Sequence, residues 1–95
     1  MSFADRVYSL CQRIPRGKVV TYGVIATKLR SSPRAVGQAL KKNFNVHVPC
    51  HRVICSDGSL GGYNRGTILK RQLLLLEGVA FERRKVARQS NFWTL

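Results

Sequence analysis

The stretch Thr21 to Asn43, "TYGVIATKLRSSPRAVGQALKKN", decides the fold. Thr21 is a good N-cap, and Tyr22, Ile25 and Leu29 then fall on one face, the spacing of an amphipathic helix over residues 22–29. "RSS" interrupts it. Ser32 and Pro33 supply the cap and first-turn proline of a second helix that ends near Lys42 or Asn43, with Val36, Ala39 and Leu40 facing inward. Two helices joined so tightly resemble a helix-turn-helix, whose second helix enters a nucleic-acid groove. An ordinary helical hairpin has the same pattern, so charge has to choose between them.

Charge favours the nucleic acid. Seventeen Lys and Arg against four acids give a net charge of +13, and between Arg6 and Ser56 there is no Asp or Glu at all. A polyanion is the natural partner of such a chain, and binding through phosphates weakens steeply with salt. An anionic membrane surface or a ribosomal site would satisfy the same charge. No apolar run approaches the length of a membrane span, "MSFADR" lacks the apolar region of a signal peptide, and three cysteines make no disulfide framework. These features predict an intracellular protein with reduced thiols: cytoplasmic and nucleoid-associated in a prokaryote, nuclear in a eukaryote. With 95 residues it reads as a single domain whose core is modest, since a chain this short buries only about 60 to 65% of its unfolded surface.

Working outward, a first helix is predicted over residues 4–13, capped by Ser2 with Asp5 three residues on and apolar at Val7, Leu10 and Cys11. "IPRGK" breaks the chain, and "VVT" (19–21) reads as extended. Beyond Asn43, "VHV" (46–48) and "VIC" (53–55) read as short strands, and "SDGS" (56–59) as a turn before "LGGY". Thr67 is expected to cap a last helix to about Glu77, stopped by Gly78, with four leucines packed on two sides. Residues 80–95, basic with terminal aromatics, read as either a docked or a flexible extension. The fold class is therefore mostly α: a winged helix-turn-helix-like domain with a small β wing.

Two charges sit where helix physics opposes them. Arg34 occupies the positive end of its helix and Glu77 the negative end of another, each disfavoured by a few tenths of a kcal/mol up to about 1. Both placements hint at an external partner. Gly37, with Ala35 nearby, gives its helix a smooth surface that something bulky can approach.

His47, Cys50, His51 and Cys55 number the usual four ligands of zinc, but they lie within nine residues, and structural zinc sites usually join two separated pairs. No metal is expected. Cys55, beside Ile54, reads as a core side chain. Cys50 differs: Pro49 fixes a rigid approach, and His51 and Arg52 supply the electropositive surroundings that lower a thiol's pKa.

At this point the chain closely resembles the O6-alkylguanine-DNA alkyltransferases, and in particular their C-terminal active-site domain. "PCHRV" (49–53) matches the family's active-site signature, and the likeness extends through "IPRGKVVTYG" (14–23), "RAVGQAL" (34–40), Asn43, "GGY" (61–63) and "LLEG" (75–78). It covers roughly residues 3 to 80. The resemblance implies a monomeric domain that binds alkylated double-stranded DNA in the minor groove and flips the damaged nucleotide into a pocket. Cys50 would accept the alkyl group irreversibly, His51 would draw off its proton through a water, and Glu77 would orient His51. Asn43 would tie down the active-site turn, and Tyr22 would rotate the phosphate and protonate the leaving guanine. Arg34 would fill the gap left by the flipped base, and Ser32, Ala35, Gly37, Leu40 and Lys41 would lie along the DNA. Pro49, Val53, Tyr63 and Asn64 would line the substrate pocket. No cofactor is implied.

Two departures from the family pattern stand out. Its usual N-terminal domain has no counterpart before the first helix, which leaves room for a separate protein partner in its place. Asn64 stands where a serine often meets the guanine O6, which bears on substrate preference and on whether O4-alkylthymine is repaired. Short alkyltransferase-like proteins of this length bind lesions without repairing them and carry tryptophan in place of the cysteine; that is the principal alternative reading. A winged-helix regulator with Cys50 as a redox sensor is a third.

Overall fold

The computed structural model describes residues 1–87 and 91–95. Helix α1, Phe3–Gln12, is closed by a reciprocal capping box in which Ser2 and Asp5 bond each other's backbone at 3.0 and 3.2 Å. Helices α2, Tyr22–Leu29, and α3, Pro33–Lys41, are capped by Thr21 and Ser32, whose side chains accept from Val24 and Ala35 at 3.1 Å each. The turn between them places Arg30 in the left-handed region at φ 54° and lets Ser31 N–H reach the Ala26 carbonyl at 2.8 Å, a closure that redirects the chain within three residues.

Val7 and Cys11 of α1, Ile25 and Ala26 of α2, and Val36, Ala39 and Leu40 of α3 meet in one core with Ile14, Val20, Val48, Cys50 and Val53. Strand β1, Val20–Thr21, pairs in parallel with β2, Val53–Ile54, so Val20 lies opposite Val53. This register sets the start of α2 beside the one-turn 3-10 helix Cys50–Arg52. A second cluster of Val19, Ile54, Leu60, Leu74, Val79 and Val86 lies under α4, Thr67–Leu76.

The expected strand at residues 46–48 does not form. Asn43 Oδ1 accepts from Asn45 N–H at 3.1 Å and Asn45 Oδ1 from His47 N–H at 2.9 Å, so two asparagine side chains take the backbone donors a strand would need. Thr67 is the first residue of α4 and not its cap. Gly66 caps it at φ 97°, a conformation closed to threonine. Nor is α4 packed on two sides. Lys70 and Leu74 are fully buried on one face, while Ile68, Leu75 and Leu76 are exposed.

Beyond α4, strands β3, Phe81–Glu82, and β4, Lys85–Val86, form a hairpin tied to the 56–59 turn by a bond of 2.9 Å from Val86 N–H to the Gly58 carbonyl. Val19 then donates to the Asn91 carbonyl at 2.7 Å and accepts from Trp93 N–H at 2.9 Å, so residues 91–93 run alongside the β1 region. Of the 80–95 extension, residues 88–90 lie outside the described residues. Among the described residues, no helix is long and apolar enough to cross a membrane.

One backbone contact locks the "IPRG" break to the end of α4. At Gly17, φ is 85°, and a Cβ there would stand 2.9 Å from the Glu77 carbonyl oxygen, inside contact distance. Gly17→Ala is expected to lower stability by at least about 1 kcal/mol, read as a lower urea midpoint with an unchanged slope; a midpoint equal to wild type would show that this contact is slack.

Candidate active site

Pro49 opens the 3-10 turn, and Cys50 is its first residue, with a thiol almost wholly enclosed. Asn43 Nδ2 donates to Cys50 Sγ at 3.2 Å, while the thiol itself points to the Val48 carbonyl at 3.6 Å. Asn43 is buried at the end of α3, and its carboxamide also holds the 43–45 turn. The sulfur is thereby fixed by the same residue that ends the second helix of the helix-turn-helix.

Behind the turn, Glu77 caps α4 and receives three side-chain bonds. His51 Nε2 lies 2.9 Å from its Oε2, and Arg52 forks onto both oxygens at 2.7 and 3.0 Å. Arg52 further donates to the Ile14 carbonyl at 2.9 Å. Burial pushes the Glu77 carboxyl up, but the bonds from Arg52 and His51 outweigh it and hold the group below the ordinary glutamate value. His51 is lowered: burial disfavours the imidazolium more than the Glu77 carboxylate supports it, so the ring is held neutral and able to take a proton.

A cavity of about 490 Å³ opens beside Cys50. Tyr22, Gly61 and Gly62 line it on one side, and Arg34, Gly37, Leu40 and Lys41 of α3 on another, with Tyr63 and Asn64 completing the wall. Glycine is needed at residue 61, where φ is 71° and a Cβ would stand 3.1 Å from Cys55 Sγ and 3.2 Å from the Tyr22 ring. A smaller cavity of about 190 Å³ touches Cys50 and His51 past Tyr63 and Asn64. Asn64 Nδ2 donates to the carbonyls of Lys41 and Asn43, fastening the glycine loop to the end of α3 and leaving its buried Oδ1 without a hydrogen-bond partner.

Most of the residues singled out in the sequence thus converge: Cys50, His51, Glu77 and Asn43 on one network, and Tyr22, Arg34, Gly37, Leu40, Lys41, Tyr63 and Asn64 on the cavity. Others stand apart from that wall. Val53 is fully buried in the core, Pro49 sits behind the turn, and Ser32 and Ala35 meet each other in the α3 cap. Cys55 is not a core side chain: it is only partly buried and lines the cavity, because the turn after β2 brings it back toward Gly61. The fully buried thiol is Cys11, which burial pushes up to about 12. Among the described residues, no group of three His, Cys, Asp or Glu is arranged to hold a metal ion.

Sequence reasoning missed Lys70. Its side chain is fully buried, and Nζ donates to the carbonyls of Val53 at 2.7 Å, Leu60 at 2.5 Å and Gly62 at 3.1 Å, with the Tyr22 hydroxyl at 3.3 Å. Burial lowers it to about 8. The available signal was spacing: residues 70, 74 and 77 share a helix face, which places the lysine on the side of Leu74 and Glu77.

A basic helix-turn-helix domain with an enclosed thiol at the mouth of a cavity defines a DNA-binding protein with a candidate cysteine nucleophile. The model of the family described as 6-O-methylguanine DNA methyltransferase, DNA binding domain, matches residues 2–79, and the chain belongs to that family. The methylated-DNA–protein-cysteine methyltransferase of Saccharolobus islandicus (strain M.16.27) is 58% identical over 78 residues, 81% of this chain and 51% of that protein. That of Methanothermobacter thermautotrophicus is 47% identical, with 84% and 46% covered. The chain thus spans about half the length of these curated relatives. Among solved structures, the O6-methylguanine-DNA methyltransferase of Pyrococcus kodakaraensis superposes with TM-score 0.76 at 46% identity, covering 83% of this chain and 47% of that one. S. pombe ATL in complex with DNA gives 0.78 at 32% identity, covering 98% and 95%.

The pH dependence of stability follows from the two shifted groups. A His51 lowered in the fold means that the unfolded chain binds the proton first as pH falls through about 6.5, and a lowered Glu77 repeats this below about 4.5, so stability is lost on acidification through both windows. Glu77→Gln is expected to cost roughly 3 kcal/mol at pH 7 by leaving Arg52 without its carboxylate and to flatten the limb below about pH 4.5. Urea unfolding at a series of pH values measures both, and an unaltered acid limb would contradict the assignment.

Proposed function

We propose that this chain is the active-site-bearing, C-terminal domain type of its family and reverses alkylation damage in double-stranded DNA, taking the alkyl group of an O6-alkylguanine onto Cys50 once and irreversibly. The observation that carries this reading is the thiol itself, held by Asn43 at 3.2 Å on the wall of a cavity that also presents Tyr22 and Arg34. Sulfur attacks the alkyl carbon in a displacement, so the demand is a thiolate and a protonated leaving group rather than an oxyanion hole. His51, neutral and oriented by Glu77, accepts the thiol proton through water. Tyr22 supplies a proton to the departing guanine.

Arg34 stands exposed in the first turn of α3 at the rim of the cavity, where its cation would meet DNA entering along the minor groove and its side chain would replace the extruded nucleotide in the stack. The product thioether has no group beside it fitted to cleave it, so each molecule acts once, as a monomer.

The rival reading takes support from the near full-length likeness to S. pombe ATL and from S. pombe Atl1, solved in complex with damaged DNA containing O6-carboxymethylguanine. A lesion binder of that kind would leave the DNA unrepaired. The test is peptide mass spectrometry after incubation with a duplex containing O6-methylguanine: one methyl is expected on the Cys50 peptide, whereas tight lesion binding with unchanged mass would favour the rival. Arg34→Ala should lose about a hundredfold in transfer from duplex and much less from free O6-benzylguanine base, on the scale of a misplaced substrate. Equal losses on both substrates would refute the intercalating role.

A further inference from the structure

Lys70 belongs to no role assigned so far, yet it is the largest fully buried side chain of the molecule. No carboxylate is among its bonded partners, which are three backbone carbonyls and the Tyr22 hydroxyl. Removing an ammonium from water without an acid to pair it is costly. A methylene chain ending in an apolar group would fill the same volume at lower cost, so charge at this position calls for a reason. The geometry points to Lys70 as the positioning residue for proton donation by Tyr22: its ammonium occupies the tyrosine oxygen's lone pair, directs the phenolic hydrogen away from itself, and stabilises the tyrosinate left after donation. This inference rests on the alkyl-transfer reading of the site.

The hydrogen-bonding inventory supplies the first step. An ammonium has three donors and no acceptor, so in the 3.3 Å contact the Tyr22 oxygen can only accept. Its own hydrogen must then lie elsewhere, either on the Gly62 carbonyl at a long 3.4 Å or in the cavity that Tyr22 lines. A weakly held hydrogen facing the cavity is available to a bound base. The Gly62 carbonyl also receives Lys70 at 3.1 Å, which weakens it further as an acceptor for the tyrosine.

Electrostatics supplies the second step. Burial raises Tyr22 to about 12, which makes it a poor acid unless a cation stands beside it. Lys70 sits on the polar edge of that ring, with Nζ 5.6 Å from its centroid, in surroundings where a unit charge acts more strongly than in water. At neutral pH, with a value of about 8, it is mostly charged. The titratable groups facing it are Tyr22, Cys50, Cys55 and His51.

In the transfer step, the Cys50 sulfur forms the bond to the methyl carbon while the carbon–O6 bond breaks and its electron pair passes to the purine. The Tyr22 proton moves to the purine, leaving a tyrosinate against Lys70. The proton that His51 took from the thiol returns through solvent to Tyr22, so the net change is the exchange of a thiol hydrogen for a methyl group.

The experiment separates this role from a structural one by the leaving group. Displacement of iodide from iodoacetamide needs no proton donor, whereas displacement of guanine does. Wild type, Lys70→Met and Lys70→Gln, each with and without Tyr22→Phe, are compared for methyl transfer from an O6-methylguanine duplex and for carbamidomethylation of the Cys50 peptide. Lys70→Met is expected to slow methyl transfer at least about tenfold, to leave the iodoacetamide rate unchanged, and to have no further effect once the Tyr22 hydroxyl is gone. Equal loss in both reactions, or the same loss with and without that hydroxyl, would overturn the inference. Should neither Lys70 variant fold, carbon-13 lysine NMR on wild type and Tyr22→Phe decides: a Lys70 titration near 8 is expected to fall when the phenol oxygen is removed, and an unmoved titration would overturn the contact. Absence of methyl transfer by wild type would reject the alkyl-transfer reading alone, because the NMR and iodoacetamide arms do not depend on it.

Discussion

One carboxylate fastens the working half of this molecule. Glu77, at the C-terminal end of α4, draws in Arg52 and His51 from the 3-10 turn, and Arg52 passes the connection on to the Ile14 carbonyl at the end of the first helical segment. The same junction carries the close backbone approach of Gly17 and the bond of 3.3 Å from Arg16 to the Leu76 carbonyl. Three segments far apart in sequence are therefore held by side-chain forks, where a larger domain would use sheet. The two-residue strands β1 and β2 fix register but contribute few ladder bonds. Any looseness at Glu77 would be transmitted to Cys50 through the turn.

That arrangement also resolves a problem of charge. With 17 basic residues and 4 acids, the chain repels itself, and a carboxylate at a helix C-terminus is locally disfavoured. Glu77 is stable there because two positively polarised side chains converge on it, and its burial makes those bonds stronger than surface pairs would be. The contrast is Asp57, whose contact with Lys85 at 3.7 Å is exposed at both ends and adds little. Where the acids are placed, then, matters more than how few they are.

Much of the helical frame was legible because it is local. Caps at Ser2, Thr21 and Ser32 and the inward spacing of Val36, Ala39 and Leu40 are written within single helices, and the structure places them as read. The errors arose where a distant group or a second local interaction competed. Asparagines 43 and 45 captured the donors of the supposed strand at 46–48, and the backbone twist required at residue 66 moved the cap from Thr67 to glycine. Cys55 looked like core because an apolar neighbour preceded it, but its direction is set by the turn after β2 and by the absence of a side chain at Gly61. The candidate site was visible through the family signature, whereas the Arg52 fork was not, since nothing in "PCHRV" says that the arginine reaches a residue twenty-five positions away.

Lys70 was hidden for a deeper reason. A run of four leucines after it suggests that the leucines are the buried face, and on hydrophobicity alone the lysine belongs outside. The helix is mounted the other way: Ile68, Leu75 and Leu76 are at least half exposed, and the cation is enclosed by the carbonyls of Val53, Leu60 and Gly62. Those carbonyls belong to a strand end and to a glycine loop whose own donors are sparse, so without an ammonium they would be left as buried acceptors lacking partners. The fold and the site therefore make the same demand on residue 70. The loop that shapes the cavity needs a donor with several hydrogens, the tyrosine beside it needs a positive neighbour, and lysine, with three mobile N–H groups on one charge, meets both where arginine's planar fork would not fit the converging carbonyls.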